Sequence, residues 1–273
     1  MFQSAAPTRS SRSIWMIVSV VAVVAWTGAA DSQEAALSFD GVDDIASIPS
    51  TNQWPISTST LTIELWVRPS DVPASSITGV FWGESSSTGF GMPSNNTSMA
   101  FTVSTANTNS AYAPAGSLAA GRWDHFAGTW DGTTIRIYHD GVLVDEVIHG
   151  QPGSVLVRTD YVIGARSSSQ SRYTGIVDEI RIWNAVRSES EISKWKDRPL
   201  TGSEPDLIAY WRLNEGGGQD ILDSSPSTAD GVLGLTGAVE PEDPDWTTDV
   251  APLAFFFDGF ETGNTGAWST TSP

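Results

Sequence analysis

Two Asp-Gly dipeptides divide the middle of the chain into three stretches in which apolar and polar residues alternate. They stand at Asp131 and Asp140, between the segments WDHFAGTW, TIRIYH and VLVDEVI. Alternation with a period of two is the pattern of a strand with one buried face. Asp-Gly favours a tight hairpin, because both central residues of a type I′ turn need a positive φ. The spacing therefore predicts three consecutive antiparallel strands between Trp123 and Ile148.

The same alternation occurs earlier, and it extends the prediction to an all-β chain from Ala35 onward. In the segment TLTIELWVRP, one face would hold apolar side chains and the other mixed ones: Leu61, Ile63, Leu65 and Val67 against Thr62, Glu64, Trp66 and Arg68. A single short helix is predicted after IWNAVR. Ser188 and Glu191 stand three residues apart there, as in a capping box, and the helix would run to about Lys196.

The charge balance restricts the partners that the chain can have. Its 273 residues carry 14 Lys and Arg against 32 Asp and Glu, a formal net charge of −18. Such a surface repels nucleic-acid phosphates and anionic membranes and attracts divalent cations. The chain has no cysteine, so disulfides, thiol catalysis and cysteine-ligated metals are excluded. The stability then has to come from a large core, rich in Trp and Phe, or from a bound metal as well.

The N-terminus has the order of segments that is typical of a secretory signal peptide. Arg9 and Arg12 precede the apolar run IWMIVSVVAVVAW, and small residues follow it up to Ala30. Residues 1–30 are therefore predicted to be a signal peptide, so that the protein would be secreted without a transmembrane span. The alternative is an uncleaved anchor, although the run is shorter than the roughly 20 residues that a spanning helix needs.

The C-terminal end changes composition at the acidic, proline-rich segment EPEDPDW, Glu240–Trp246. We interpret this segment as a linker. One globular domain would then occupy residues 31–246 and a tail residues 247–273. The tail segment FFFDGFETGNTGAWS resembles short C-terminal motifs of secreted bacterial proteins. Its triple phenylalanine fits a packing strand or a sorting element equally well.

Five phrases together carry a resemblance to a known family. They are ALSFDGVDD (36–44), TIELWVRP (62–69), GRWDHFAGTWDGTTIRIYHDGVLV (121–144), GIVDEIRIWN (175–184) and LIAYWRLNEGGG with DSS (207–225). They resemble the laminin-G-like, concanavalin-A-like jelly-roll domains. The resemblance implies a sandwich of two antiparallel sheets with one short helix. In many such domains the YWRLNEGGG phrase comes first; here it follows the helix, so it would close the sandwich from the C-terminal end.

The phrase GIVDEIRIW contains a carboxylate that regular alternation places in an isoleucine row, because Asp178 would share a face with Ile176 and Ile180. A lone buried carboxylate is costly unless it is paired, hydrogen-bonded or bound to a cation. The family resemblance implies a structural Ca²⁺ held by Asp178 and the turn Asp40-Gly41, and calcium accepts carboxylate and carbonyl oxygens in flexible geometry. The alternatives are that Asp178 pairs with an arginine or accepts backbone N–H bonds.

Jelly rolls of this class include glycoside hydrolases, which need two carboxyl groups about 5–9.5 Å apart. The closest acidic neighbours, Asp145-Glu146 and Asp178-Glu179, would point to opposite faces of their strands, and G-x-S-x-G is absent. We therefore expect no enzymatic activity.

Non-catalytic binding of a carbohydrate or an extracellular protein is the expected function. Sugar rings stack on exposed aromatic side chains, and loop aromatics are the candidates: Trp54, Trp82, Tyr112 and Tyr173. The alternatives are a structural module of a cell-surface assembly and a polysaccharide hydrolase.

Overall fold

The computed structural model of the chain describes residues 34–48, 59–72, 78–83, 88–93, 97–153, 155, 160–167 and 170–254. The predicted signal peptide, the candidate Trp54 and the tail beyond residue 254 lie outside the described residues. The described helix is neither long enough nor apolar enough to cross a membrane.

Strands dominate the described residues, and all their pairings are antiparallel. In chain order the strands are β1 Ala36–Asp40, β2 Ala46–Ile48, β3 Leu61–Pro69, β4 Thr78–Gly83, β5 Gly89–Met92, β6 Ala100–Ser104, β7 Thr108–Tyr112, β8 Asp124–Trp130, β9 Thr134–His139, β10 Val142–Ile148, β11 Tyr161–Ile163, β12 Ala165–Ser167, β13 Gln170–Arg172, β14 Thr174–Trp183, β15 Leu207–Trp211, β16 Asp220–Ile221, β17 Gly231–Leu233 and β18 Asp245–Thr247. The helix α1 spans Glu189–Trp195.

Two large sheets contain nearly all of these strands. The first sheet has the order β10-β9-β8-β3-β14-β1-β18, and β15 also pairs with β14. The second sheet has the order β16-β17-β2-β11-β4-β5-β6-β7. One hydrophobic core takes side chains from both, such as Ile63 and Phe126 from the first and Phe81 and Phe101 from the second. The predicted all-β, concanavalin-A-like sandwich of two antiparallel sheets with one short helix is confirmed.

The C-terminal strand β15 closes the first sheet in the way that the order of the phrases predicted. The long strand β14 pairs with β1 through residues 174–177 and with β15 through residues 180–183. These two strands therefore share one edge of β14, and β3 lies along the other edge.

The three strands predicted around the Asp-Gly dipeptides are β8, β9 and β10, but the two turns differ. Asp140 and Gly141 both have positive φ, 50° and 84°, as a type I′ turn requires. At the first turn only Gly132 has a positive φ. There the Asp131 carboxylate accepts the N–H groups of Thr133 and Thr134, which folds a longer turn.

The predicted faces of β3 and the predicted helix cap are also confirmed. Leu61, Ile63, Leu65 and Val67 all lie in the core. The Ser188 side chain accepts the Glu191 N–H while the Glu191 side chain accepts the Ser188 N–H, a reciprocal capping box. Helix α1 packs its buried Ile192 against Ala127 and Tyr138, on the outer face of the first sheet.

A β-bulge in β14 overturns the predicted isoleucine row. Asp178 pairs with Trp66 and Arg181 with Glu64, so two residues of β14 stand opposite one of β3. Glu179 lies in the bulge and has a positive φ of 53°. The alternation therefore changes phase: Val177, Ile180 and Ile182 face the core, whereas Ile176 and Asp178 face away from it.

Candidate functional site

A pocket with a volume of about 190 Å³ lies on the second sheet, on the face that points away from the core. Its lining residues come from β4, β6, β7, β12 and the end of β5: Trp82, Pro93, Thr102, Thr108, Ser110, Tyr112 and Arg166. Strand alternation creates this face. Phe101 and Ala111 point into the core, so their neighbours Thr102, Ser110 and Tyr112 point outward. We call this site the sheet-face pocket.

Three residues that line the sheet-face pocket form a single row with Gly89 across four strands. Trp82 pairs with Gly89, Gly89 with Thr102, and Thr102 with Ser110. The two hydroxyl oxygens of Thr102 and Ser110 lie 2.8 Å apart. Gly89 has a φ of 150°, and a Cβ there would clash with the carbonyl oxygen of Phe81, so this position has to remain glycine. The row therefore presents hydroxyl groups beside a bare stretch of backbone.

Trp82 lies in the pocket, but its ring is covered, which contradicts its prediction as an exposed loop aromatic. It belongs to β4, and only 5% of its surface is exposed. A Cβ on Gly91 would lie 3.4 Å from Trp82 Cζ3, so the indole packs close to that glycine. The Arg166 guanidinium carbon lies 5.3 Å from the ring centroid. This distance is within the range of a cation–π contact.

Tyr112 is the exposed aromatic of the pocket, with 48% of its surface accessible. Its backbone N–H donates to Asp145 Oδ2 at 2.9 Å, a bond that links β7 to β10 of the other sheet. The prediction for Tyr173 was wrong. It is 1% exposed, and its hydroxyl donates to the Ile176 carbonyl oxygen at 3.3 Å. Burial raises the pKa of the Tyr173 hydroxyl far above its usual value.

Asp178 is buried outside the main core and accepts two backbone hydrogen bonds. Its Oδ1 accepts the Glu179 N–H at 2.9 Å and its Oδ2 the Ala251 N–H at 2.8 Å. The pKa of the Asp178 carboxyl is raised well above its usual value, first by burial and then by the charge of Glu179. Hydrogen bonding to the backbone, one of the alternatives considered above, is the arrangement found here.

The structure does not bring Asp178 together with the Asp40-Gly41 turn. In the pairing of β1 with β14, Asp40 stands opposite Thr174, four residues before Asp178. Four residues of strand span about 13 Å, too far for one ion to bridge. The turn itself is tight: Gly41 has a φ of 80°, and a Cβ there would clash with the Thr174 hydroxyl.

Asp40 instead forms a group with Asp43 and Asp44, which we call the acidic turn. Carboxylate oxygens of the three residues lie within 4.8 Å of one another. Asp44 Oδ2 accepts the Asp40 N–H at 2.6 Å, and Asp40 Oδ1 accepts the Val42 N–H at 2.7 Å. Burial, together with the charges of Asp40, Asp43 and Asp245, raises the pKa of Asp44 to about 6. Hard oxygen donors that repel one another fit a calcium ion.

A second such group consists of Asp124, His139 and Asp140. Asp124, the buried residue of this group, already has two side-chain partners. Asp124 Oδ1 accepts His139 Nε2–H at 2.8 Å and lies 2.7 Å from a terminal nitrogen of Arg122. The guanidinium takes the place that a cation would need, so the acidic turn is the better metal candidate.

Residues 40–193, more than half of the chain, match the sequence model of the family Laminin_G_3, described as the concanavalin A-like lectin/glucanases superfamily. The chain belongs to this family. The sequence resemblance to laminin-G-like domains is thereby confirmed. A comparison with curated proteins gives no match.

Solved structures are similar to this laminin-G-like domain at low sequence identity. A "putative carbohydrate binding protein" from Bacteroides ovatus has a TM-score of 0.61 and 17% identity, and the match covers 81% of this chain and 61% of that one. A heptameric SAP-like pentraxin from Limulus polyphemus has a TM-score of 0.47 and 13% identity, with 76% and 98% covered. Domains LG4-5 of the mouse laminin alpha1 chain have a TM-score of 0.43 and 16% identity, with 55% and 41% covered.

The laminin-G-like domain also buries a polar layer between the first sheet and α1. Arg181 donates to Glu179 at 2.6 Å and to the carbonyl oxygens of Trp195 and Arg198, both at 2.8 Å. The Tyr210 hydroxyl donates to Glu179 at 2.7 Å. These bonds attach the C-terminal end of the helix to the sheet. Since every partner is buried or lies in the backbone, the layer is structural.

Proposed function

We propose that this domain is a non-catalytic carbohydrate-binding module and that the sheet-face pocket is its ligand site. The observation that carries the proposal is the convergence of polar and aromatic groups on one outer face. Arg166, the hydroxyls of Thr102 and Ser110, and the half-exposed ring of Tyr112 all line the same pocket. Hydroxyl and guanidinium groups exchange hydrogen bonds with sugar hydroxyls, while an aromatic ring supports the apolar face of a sugar.

The lining of the pocket supports binding without hydrolysis. None of its described lining residues is a carboxylate. Glycoside hydrolysis needs two carboxyl groups on either side of the scissile bond, one to protonate the leaving oxygen and one to act as a nucleophile or base. The likeness of the fold to the Bacteroides ovatus protein agrees with a binding role.

Two further features belong to the proposal. The basic, apolar and small segments before Ala30 support secretion, so the ligand would be an extracellular glycan. The acidic turn would hold one structural calcium ion through Asp40, Asp43 and Asp44. Such an ion would neutralise the turn and stiffen the end of β1. The sheet-face pocket lies on the other sheet, so the ion would stabilise the domain and not contact the sugar.

A glycan-binding screen of the purified chain tests the function. We expect retention of at least one glycan and a loss of about tenfold or more in affinity for Tyr112→Ala, because covering a large aromatic side chain contributes on the order of 1.5–3 kcal/mol. Leu222→Ala is the matched control, since Leu222 is 50% exposed and lies next to β16, at the opposite end of the same sheet. Release of reducing sugar, or no retention of any glycan, would overturn the proposal.

A further inference from the structure

Arg166 is the one charged side chain among the described residues that line the sheet-face pocket. Four other described arginines have carboxylate partners: Arg68 with Asp249, Arg122 with Asp124, Arg136 with Asp131 and Arg181 with Glu179. No described carboxylate forms a salt bridge with Arg166, which is exposed. In a chain with a net charge of −18, an exposed arginine gives this pocket a local positive charge.

The contact with Trp82 explains how this guanidinium is held in place. The indole packs close to Gly91 on β5, and the guanidinium carbon lies 5.3 Å from its centroid. A cation–π contact restricts a long side chain without using its N–H donors. Trp82 therefore acts as a positioning residue, and the donors of Arg166 remain available to a ligand.

We infer that the sheet-face pocket binds an anionic sugar and that Arg166 recognises the charge. The planar guanidinium matches the paired oxygens of a carboxylate or a sulfate and binds them through two parallel hydrogen bonds. The hydroxyls of Thr102 and Ser110 would then contact the uncharged positions of the same ring, and Tyr112 its face. This inference rests on the proposed function and adds the class of ligand to it.

The strongly negative chain repels a polyanion at long range, so the recognition has to be local. At physiological ionic strength this repulsion is screened beyond about 8 Å, whereas a hydrogen-bonded ion pair in a pocket is screened much less. A short anionic oligosaccharide is therefore the better ligand, because it places few charges outside the pocket.

Matched pairs of ligands test the inference by titration calorimetry. Trigalacturonate is compared with its fully methyl-esterified form, and sulfated with unsulfated galactotriose. We expect one acidic form to bind at least about tenfold more tightly than its neutral partner. The pair that shows the preference tells whether a carboxylate or a sulfate is the recognised group.

Three variants test whether Arg166 causes the preference for the acidic ligand. Arg166→Gln should abolish it, and Arg166→Lys should keep part of it, because the charge remains while the planar fork is lost. Lys194→Gln is the control: it removes one charge from α1, which packs on the other sheet, and should leave the preference unchanged. Thermal melting of all three checks that they fold.

Two results would overturn the inference and can be told apart. Equal affinity for acidic and neutral forms, unchanged in Arg166→Gln, would reject the anionic ligand and leave carbohydrate binding in place. If neither these oligosaccharides nor any member of the glycan screen binds, the proposed function fails as well.

Discussion

His125 Nε2 lies 3.3 Å from Glu64 Oε2 on the outer face of the first sheet, and both side chains are buried. Burial opposes ionisation of Glu64, yet His125 and nearby arginines hold the pKa of this carboxyl below its usual value. The pKa of His125 is lowered as well, first by burial. The arrangement is therefore an ionised glutamate in close contact with a neutral histidine.

This pair predicts that its own contribution to the stability of the domain is lost in acid. A lowered pKa in the folded state means that the unfolded chain binds more protons, so the contribution to stability is present above the unfolded pKa and is lost as the pH falls. For His125 the loss begins below about pH 6.5, and for Glu64 below about 4.3. In urea unfolding at pH 7, 6 and 5, the difference in free energy of unfolding between the parent and His125→Ala should decrease as the pH falls.

The variant His125→Ala tests which residue causes this dependence. It should lower the free energy of unfolding at pH 7 by about 3–5 kcal/mol, since it leaves a buried carboxylate without its partner. Its decrease in stability between pH 7 and 5 should be smaller than that of the parent. His139→Ala serves as a comparison: it removes a histidine from a different buried carboxylate, Asp124, and should leave the contribution of the His125–Glu64 pair unchanged. A parent whose stability rises between pH 7 and 5, with the same slope in His125→Ala, would contradict the assignment.

The acidic turn predicts the opposite pH dependence, a contribution to stability that increases as the pH falls. The pKa of Asp44 is raised to about 6, so its folded form binds more protons and stability increases as the pH falls from about 6 towards 3.8. Asp44→Asn should stabilise the calcium-free domain at pH 7 by about 1 kcal/mol, because it removes the repulsion and can still accept the Asp40 N–H.

Calcium should reverse the order of stability of the parent and Asp44→Asn. We expect millimolar calcium to raise the melting temperature of the parent by several degrees and that of Asp44→Asn much less. Glu146→Gln removes an exposed carboxylate from β10, at the far edge of the first sheet, and should respond to calcium as the parent does. The same melting temperature in calcium and in chelator would reject the calcium site.

A variant of Asp178 distinguishes between the two candidate calcium sites, Asp178 and the acidic turn. Asp178→Asn keeps the size of the side chain but turns an N–H₂ group towards one of two backbone donors, which should cost about 1–3 kcal/mol. Its increase in melting temperature with calcium should equal that of the parent, because the acidic turn lies about 13 Å along the sheet. Loss of the calcium response in Asp178→Asn, but not in Asp44→Asn, would place the ion at Asp178.

The bulge in β14 shows where sequence reasoning reached its limit. The faces of β3, the hairpins β8–β10 and the capped helix follow from local patterns, and the sequence predicted them correctly. A glutamate with positive φ at position 179 has no sequence signature, so alternation alone put Asp178 on the wrong face. Tyr173 looked like a loop residue because its neighbours are polar, yet its ring turns into the core.

The sheet-face pocket was predictable only in part. Trp82 and Tyr112 were singled out as aromatic residues, and alternation in β6 already gives the outward direction of Thr102. Strand register decides that Ser110 faces Thr102. The path of the chain between the sheets brings Arg166 to the pocket from a distant segment. Such non-local pairing is not encoded in any single stretch of sequence.

Gly89 provides a final test, because stability and binding both depend on it. At a φ of 150°, with the Phe81 carbonyl oxygen 2.2 Å from the place of a Cβ, Gly89→Ala should strain β5 against β4 and shift Trp82, which lines the pocket. We expect a loss of about 2 kcal/mol or more in the free energy of unfolding, measured in urea, together with weaker glycan binding. Gly150→Ala is the control, since no atom lies within 4 Å of a Cβ there. Its free energy of unfolding and its glycan affinity should match those of the parent. A Gly89→Ala protein with parental stability and affinity would show that the bare backbone at the centre of the row has no role.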